Sequence, residues 1–181
     1  LSAPPAAAAA LESAVRMVRD GLGDHIFAEE RIDLPAVVAR RLGERKATLA
    51  TAESCTGGLI GHRLTNLSGS SAWYLGGVVS YANASKVRDL GVPAATIAQH
   101  GAVSEETARA MAEGVRARFG SDFGLAVTGI AGPTGGTPEK PVGLVWLAVA
   151  DAGGTIAQSH RWNGSREVNK EWAAQYALDL L

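Results

Sequence analysis

The apolar positions of this chain switch repeatedly between helical and strand-like spacing, and the order of the switches predicts an alternating α/β fold. Leu11, Val15, Val18 and Leu22 recur at intervals of three and four, a helical stripe that Gly21 and Gly23 should end. The Ala/Pro tract of residues 1–10 reads as disordered or as the tail of a linker. Asp24-His25-Ile26-Phe27 has no clear period, and Glu29, Glu30, Arg31 and Asp33 form a charged hinge. The domain boundary is placed there, with a linker over 1–32 and one domain over 33–181. Asp33 is the expected N-cap of a helix running to Arg45, with Leu34, Val37, Val38 and Leu42 on its apolar face. A buried strand over 47–52 runs into a hydroxyl-rich turn, followed by a helix over about 57–67. Residues 72–81 read as a second strand, in which Gly76-Gly77 marks a bulge or a close backbone approach.

Beyond this strand, Asn83 is expected to cap a short helix carrying Lys86, Val87 and Leu90, stopped by Gly91 and Pro93. A helical turn over about 94–99 leads to His100-Gly101. Ser104 caps a helix over 105–119, with Glu105 and Glu106 in its first turn and Arg116 and Arg118 in its last, as the helix dipole favours. A third strand over 122–128 opens into a Gly-rich loop from Gly129 to Gly136. Residues 142–150 and 155–162 pair as a hairpin through 151–154, and a final helix starts at Arg166 behind a Ser165 cap. The hairpin makes the sheet mixed rather than purely parallel.

Composition narrows the functional classes. A chain of 181 residues with 46% hydrophobic content can bury one sizeable core. A net charge of −1 with no Lys/Arg stripe argues against a nucleic-acid partner. No apolar stretch is long enough to span a bilayer, and the start lacks the basic residues of a signal peptide. Cys55 is the single cysteine, so no intramolecular disulfide forms, which is compatible with a reducing, cytoplasmic setting. The first residue is not Met, which points to a fragment or a processed product. No His pair has metal-ligand spacing and the cysteine is isolated, so no metal and no cofactor are expected.

The candidate chemistry gathers where strands end. Ser54 follows the first strand, Tyr81 ends the second and Lys86 starts the helix after it. Thr128 ends the third strand and Arg166 opens the last helix. In open α/β sheets, ligands collect at the carboxyl ends of strands. Ser54 with Lys86 forms a possible nucleophile–base pair, with Tyr81 bridging it or orienting the lysine. An unperturbed lysine lies about three pH units from neutrality, so supplying its neutral amine costs about 4 kcal/mol unless burial or a nearby cation lowers its pKa. The plainer reading has Lys86 on a solvated helix face, Tyr81 as a half-buried strand aromatic and Ser54 in a tight turn. Among the histidines, His100 is the best placed as an alternative base. Arg166 is unfavourable at a helix start, and an anion such as a phosphate would justify it. Amides near Gly57 and Gly58, or near Gly129, are placed to meet an oxyanion.

Several strings become specific together. They are Ala52-Glu53-Ser54-Cys55-Thr56-Gly57-Gly58, Gly69-Ser70-Ser71-Ala72-Trp73 and Ser80-Tyr81-Ala82-Asn83-Ala84-Ser85-Lys86, followed by Gln99-His100-Gly101-Ala102-Val103-Ser104, Thr128-Gly129-Ile130-Ala131-Gly132-Pro133 and Lys140-Pro141-Val142-Gly143-Leu144-Val145-Trp146. In this order, over about 33–181, they resemble the CinA C-terminal family of nicotinamide-nucleotide amidases. The resemblance implies a three-layer α/β/α sandwich on a mixed, mostly parallel sheet, and a homodimer. It also implies hydrolysis of the carboxamide of nicotinamide mononucleotide to nicotinic acid mononucleotide and ammonia, in pyridine-nucleotide salvage. By that resemblance Ser54 is the nucleophile, Lys86 the general base and Tyr81 its helper, while Thr128 and Arg166 match substrate-binding positions. The competing expectation is a non-catalytic nucleotide-binding or competence-related interaction domain. Residues 11–32 look like the segment that joins such a domain to the upstream part of full-length relatives.

Overall fold

The structure, a computed structural model, describes residues 5–23 and 26–181. Asp24 and His25 lie outside the described residues, as do residues 1–4. The chain divides into two compact units, Leu1–Asp33 and Leu34–Leu181.

In the first unit, helix α1 spans Pro5–Leu22. The alanine tract expected to be disordered is therefore helical from Pro5 onward. Proline fits the first helical position, where its missing N–H leaves no bond unmade, and alanine is the strongest helix former. The stripe of Leu11, Val15, Val18 and Leu22 is present as expected but stays exposed, by 40 to 66%. Arg19 reaches Glu29 at 2.5 Å, tying the helix to the segment that follows it.

The second unit begins with α2, Leu34–Arg45, whose Leu34, Val37, Val38 and Leu42 are buried as the spacing predicts. Then come β1 (Leu49–Glu53), α3 (Leu59–Thr65), β2 (Tyr74–Val79), α4 (Asn83–Leu90) and α5 (Ala94–His100). They are followed by α6 (Glu105–Phe119), β3 (Phe123–Gly129), β4 (Leu144–Asp151), β5 (Gly154–Arg161) and α7 (Arg166–Leu180). The strands form one sheet in the order β2-β1-β3-β4-β5. β1 pairs in parallel with β2 and β3, whereas β4 is antiparallel to both β3 and β5. Four strands thus run one way and β4 is reversed, which is the mixed sheet that the hairpin predicts.

Strand periodicity assigns the two faces. Ala50, Ala52, Ala126, Ala148 and Ala150 lie under α6, against Ala108, Met111, Ala112 and Val115. Small residues on this face let a helix approach the sheet closely. The alternate positions, such as Leu125 and Leu147, are fully buried on the other side, where α7 packs on β3 and β4 and α2 and α3 pack on α7. With α4 and α5 beside α6, the result is a three-layer α/β/α sandwich.

Both expectations for Gly76-Gly77 are met. The β1–β2 ladder shifts register between Leu49 and Ala50, opposite Tyr74 and Gly76. A Cβ on Gly77 would sit 2.4 Å from Thr51 Oγ1, a hydroxyl already hydrogen-bonded to Tyr74. Asn83 does not cap α4. It is the first helical residue, and the cap position is Ala82, which makes no side-chain bond.

Candidate active site

The β1 ladder runs one residue past Glu53. Ser54 N–H donates to Val127 O at 2.9 Å, and Ser80 N–H donates to Glu53 O at 2.8 Å. This register sets Ser80, Ser54 and Thr128 side by side at the carboxyl ends of three parallel strands. The alternation that points Ala52 and Ala126 toward α6 places Ser54 and Thr128 on that same face. The chain then leaves the sheet through Gly57 and Gly58, with φ of 66° and 96°. Glycine takes two consecutive left-handed conformations without the steric cost of a Cβ.

Glu53 points to the opposite face and is 2% exposed. Its carboxylate accepts from the N–H groups of Gly58 (2.9 Å), Ile60 (3.1 Å) and Gly61 (2.9 Å). It thereby caps α3, whose own cap residue offers no side chain. This changes the expectation for Gly57 and Gly58. Neither residue lines the cavity described below, Gly57 N–H donates to Ser54 O, and Gly58 N–H is held by Glu53. The two glycines shape the turn, and their amides are already used.

Lys86 stands on α4 with its side chain directed under the sheet end and is 1% exposed. Its Nζ lies 3.0 Å from Ser54 Oγ and donates to Ser80 O at 2.7 Å. Burial pushes its pKa below the ordinary lysine value. Among the described residues no carboxylate forms an ion pair with it. The neighbouring thiol of Cys55 is pushed up to about 12 by burial, so it is neutral near pH 7 and does not hold the ammonium charged. A neutral amine here can accept the Ser54 proton while one of its own N–H groups stays on Ser80 O.

A cavity of about 250 Å³ opens over this pair, and Ser54, Tyr81, Lys86, Thr128, Gly129 and Arg166 are all in its lining. Tyr81 is 59% exposed, and its hydroxyl accepts from Arg166 Nη2 at 2.6 Å. The aromatic expected beside Lys86 is therefore partnered with Arg166, and the carbonyl one residue earlier holds the lysine. Arg166 Nη1 also donates to Gly132 O at 3.0 Å. Thr128 Oγ1 gives its single proton to Ala102 O at 2.7 Å, which leaves lone pairs as its free hydrogen-bonding capacity.

No described histidine lines this cavity. His62 lies beside Asn66, His100 beside Glu106, and His160 is stacked on Trp162. Sequence reasoning missed the Ser80 carbonyl, the Glu53 cap and the fully buried Asn169, which donates to the carbonyl of the cavity residue Ala131. A carboxylate ending an apolar strand was a visible signal for Glu53. An asparagine inside a helical pattern gave none.

The chain matches the CinA C-terminal domain family over residues 31–181. It is 54% identical over 172 residues to a CinA-like protein of Gemmatimonas aurantiaca, covering 95% of this chain and 40% of that one. A CinA-like protein of Salinibacter ruber is 52% identical over 173 residues, covering 96% and 42%. The chain thus spans about two fifths of the length of these relatives. Among solved structures, the competence/damage inducible protein CihA of Agrobacterium tumefaciens aligns at 40% identity with a TM-score of 0.77, over 84% of this chain and 96% of that one. The competence damage-inducible protein A of Klebsiella pneumoniae aligns at 40% identity with a TM-score of 0.79, over 81% and 91%.

Proposed function

This chain belongs to the CinA C-terminal domain family, and from that premise we propose that it hydrolyses the carboxamide of nicotinamide mononucleotide by a Ser–Lys mechanism. The observation that carries the reading is the buried Lys86 amine 3.0 Å from Ser54 Oγ, with its pKa lowered and, among the described residues, no carboxylate paired with it. A solvated, ion-paired lysine would be held protonated and could not act as a base at neutral pH.

In the proposed reaction, Ser54 Oγ attacks the carboxamide carbon while Lys86 Nζ takes the hydroxyl proton. The tetrahedral intermediate collapses as Lys86 returns that proton to the departing nitrogen. The C–N bond breaks, ammonia leaves and an ester to Ser54 remains. Water then attacks the ester, again giving a proton to Lys86. The C–O bond breaks, Ser54 regains its proton from Lys86, and the product leaves as the carboxylic acid, which ionises in water. The acceptor-only hydroxyl of Thr128 suits the N–H of a carboxamide and disfavours the carboxylate product. Arg166, whose contacts are a carbonyl and a phenol rather than a carboxylate, retains its full charge for a phosphate.

The test is ammonia release from nicotinamide mononucleotide by the wild type, Ser54→Ala and Lys86→Ala. We expect turnover by the wild type and its loss, by roughly a thousandfold or more, in both variants with unchanged folding. A wild type that binds the nucleotide but releases no ammonia would favour the non-catalytic domain instead. Arg166→Ala should raise KM for the mononucleotide by about tenfold or more, with little change for nicotinamide riboside, which lacks the phosphate. Equal losses on both substrates would remove the phosphate assignment.

A further inference from the structure

Asn169 is fully buried in α7, and every polar atom of its side chain is used. Nδ2 donates to Ala131 O and to Gly164 O, both at 3.0 Å, and Oδ1 accepts from Gly164 N–H at 3.1 Å. One side chain thus ties the Gly-rich loop after β3 to the loop that delivers Arg166. Arg166 grips the next carbonyl of the same loop, Gly132 O. Two successive carbonyls, Ala131 O and Gly132 O, are therefore turned toward the start of α7.

The consequence lies in the peptide between them. The Ala131–Gly132 peptide is trans. A trans peptide points its C=O and its N–H in opposite directions. With Ala131 O fastened to Asn169, the Gly132 N–H is turned away from α7, and both Ala131 and Gly132 line the cavity. Pro133 has no N–H of its own to compete at the next position. Arg166 lines the same cavity as Gly132. A Cβ at Gly132 would lie 2.4 Å from Val142 Cγ1, so a larger residue does not fit there.

We infer that Asn169 is a positioning residue that fixes the Ala131–Gly132 peptide so that the Gly132 N–H serves, beside Arg166, as a second donor to the substrate's phosphate. This rests on the mononucleotide reading above and adds a backbone donor and its support to it. Asn169→Asp keeps the shape and the acceptor for Gly164 N–H, but it sets a carboxylate oxygen against the two carbonyls that Nδ2 now holds. The peptide should then lose its fixed orientation without creating a cavity.

Two measurements test this. The first follows the Gly132 amide of the wild type by NMR, using 13C-carbonyl alanine with 15N-glycine to pick out the Ala131–Gly132 and Ala152–Gly153 pairs. Nicotinamide mononucleotide should shift the Gly132 signal and leave Gly153 in place, and nicotinamide riboside should leave both. The second compares affinity and kinetics of Asn169→Asp with the wild type, with thermal melts recorded alongside. The dissociation constant and KM for the mononucleotide should rise about tenfold, with kcat and the affinity for the riboside changed by less than about threefold. A Gly132 amide that ignores the mononucleotide, or equal weakening of both ligands, would overturn the inference. The NMR measurement needs no variant, so it decides the question even if Asn169→Asp fails to fold. A wild type that binds the mononucleotide with the Gly132 shift but releases no ammonia would sink the amidase reading and leave this inference standing. One that binds neither ligand would sink both.

Discussion

At the scale of single residues, Lys86 sets a useful group against the stability of the fold. Burial lowers its folded-state pKa below that of the unfolded chain. Between the two values the unfolded chain binds the extra proton, so this group makes stability rise with pH through that window. At and below the folded value its destabilising effect is complete. Lys86→Met should therefore abolish turnover yet raise the melting temperature near pH 7, with the gain shrinking as pH climbs toward the ordinary lysine value of about 10.4. Melting curves of both proteins between roughly pH 6 and pH 10 would check this. A variant melting below the wild type near neutrality would mean that the bonds to Ser54 and Ser80 outweigh the cost of burying the amine. The ascending limb of kcat/KM against pH should sit below the normal lysine range for the same reason. Cys55 is the control on the same turn. Its thiol is neutral, so Cys55→Ala should keep kcat within about threefold, and a far larger fall would point to Cys55 rather than Ser54 as the nucleophile.

At the scale of elements, the turn after β1 works because its charges and amides satisfy one another. Glu53 absorbs three amides that open α3 and so fixes the path by which the chain leaves Ser54. Glu53→Gln replaces one accepting oxygen with a donor that faces N–H groups. It should cost about 1–3 kcal/mol in urea unfolding and lower kcat with it. Unchanged stability would show that water can substitute for the carboxylate. Much of this layer was legible beforehand. The caps at Ser104 and Ser165 and the buried face of α2 follow from short local patterns that fix their own partners. What was not legible depended on distant pairing. Asn83 looked like a cap, but α4 starts one residue earlier and leaves that side chain at the cavity. Gly57 and Gly58 looked like anion donors, because nothing local says that the carboxylate of Glu53 folds back to take α3's amides. Tyr81 was expected to bridge Ser54 and Lys86 or to orient the lysine, yet its hydroxyl accepts from Arg166 of α7, across the sheet end. Asn169 could not be found at all, since its role exists only once α7 lies beside the Gly-rich loop.

At the scale of the molecule, the sheet order explains why one cavity can draw on such separated residues. β1 lies between β2 and β3, so their carboxyl ends bring Ser80, Ser54 and Thr128 into one row. α4, on the α6 side, supplies Lys86, and α7, on the other side, supplies Arg166 and Asn169. Every one of these residues belongs to the unit Leu34–Leu181, and the family match begins at residue 31. The first unit contributes none of them and carries instead the exposed apolar stripe of α1. A chain starting at Arg31 should therefore fold on its own, with kcat/KM for the mononucleotide within about twofold of the longer chain and a single cooperative melt. The same assay on both proteins decides it. A truncated chain that melts normally but loses activity would show that residues before Arg31 shape the site. One that fails to fold would show that the sandwich depends on the helix that precedes it, despite holding its whole core within its own layers.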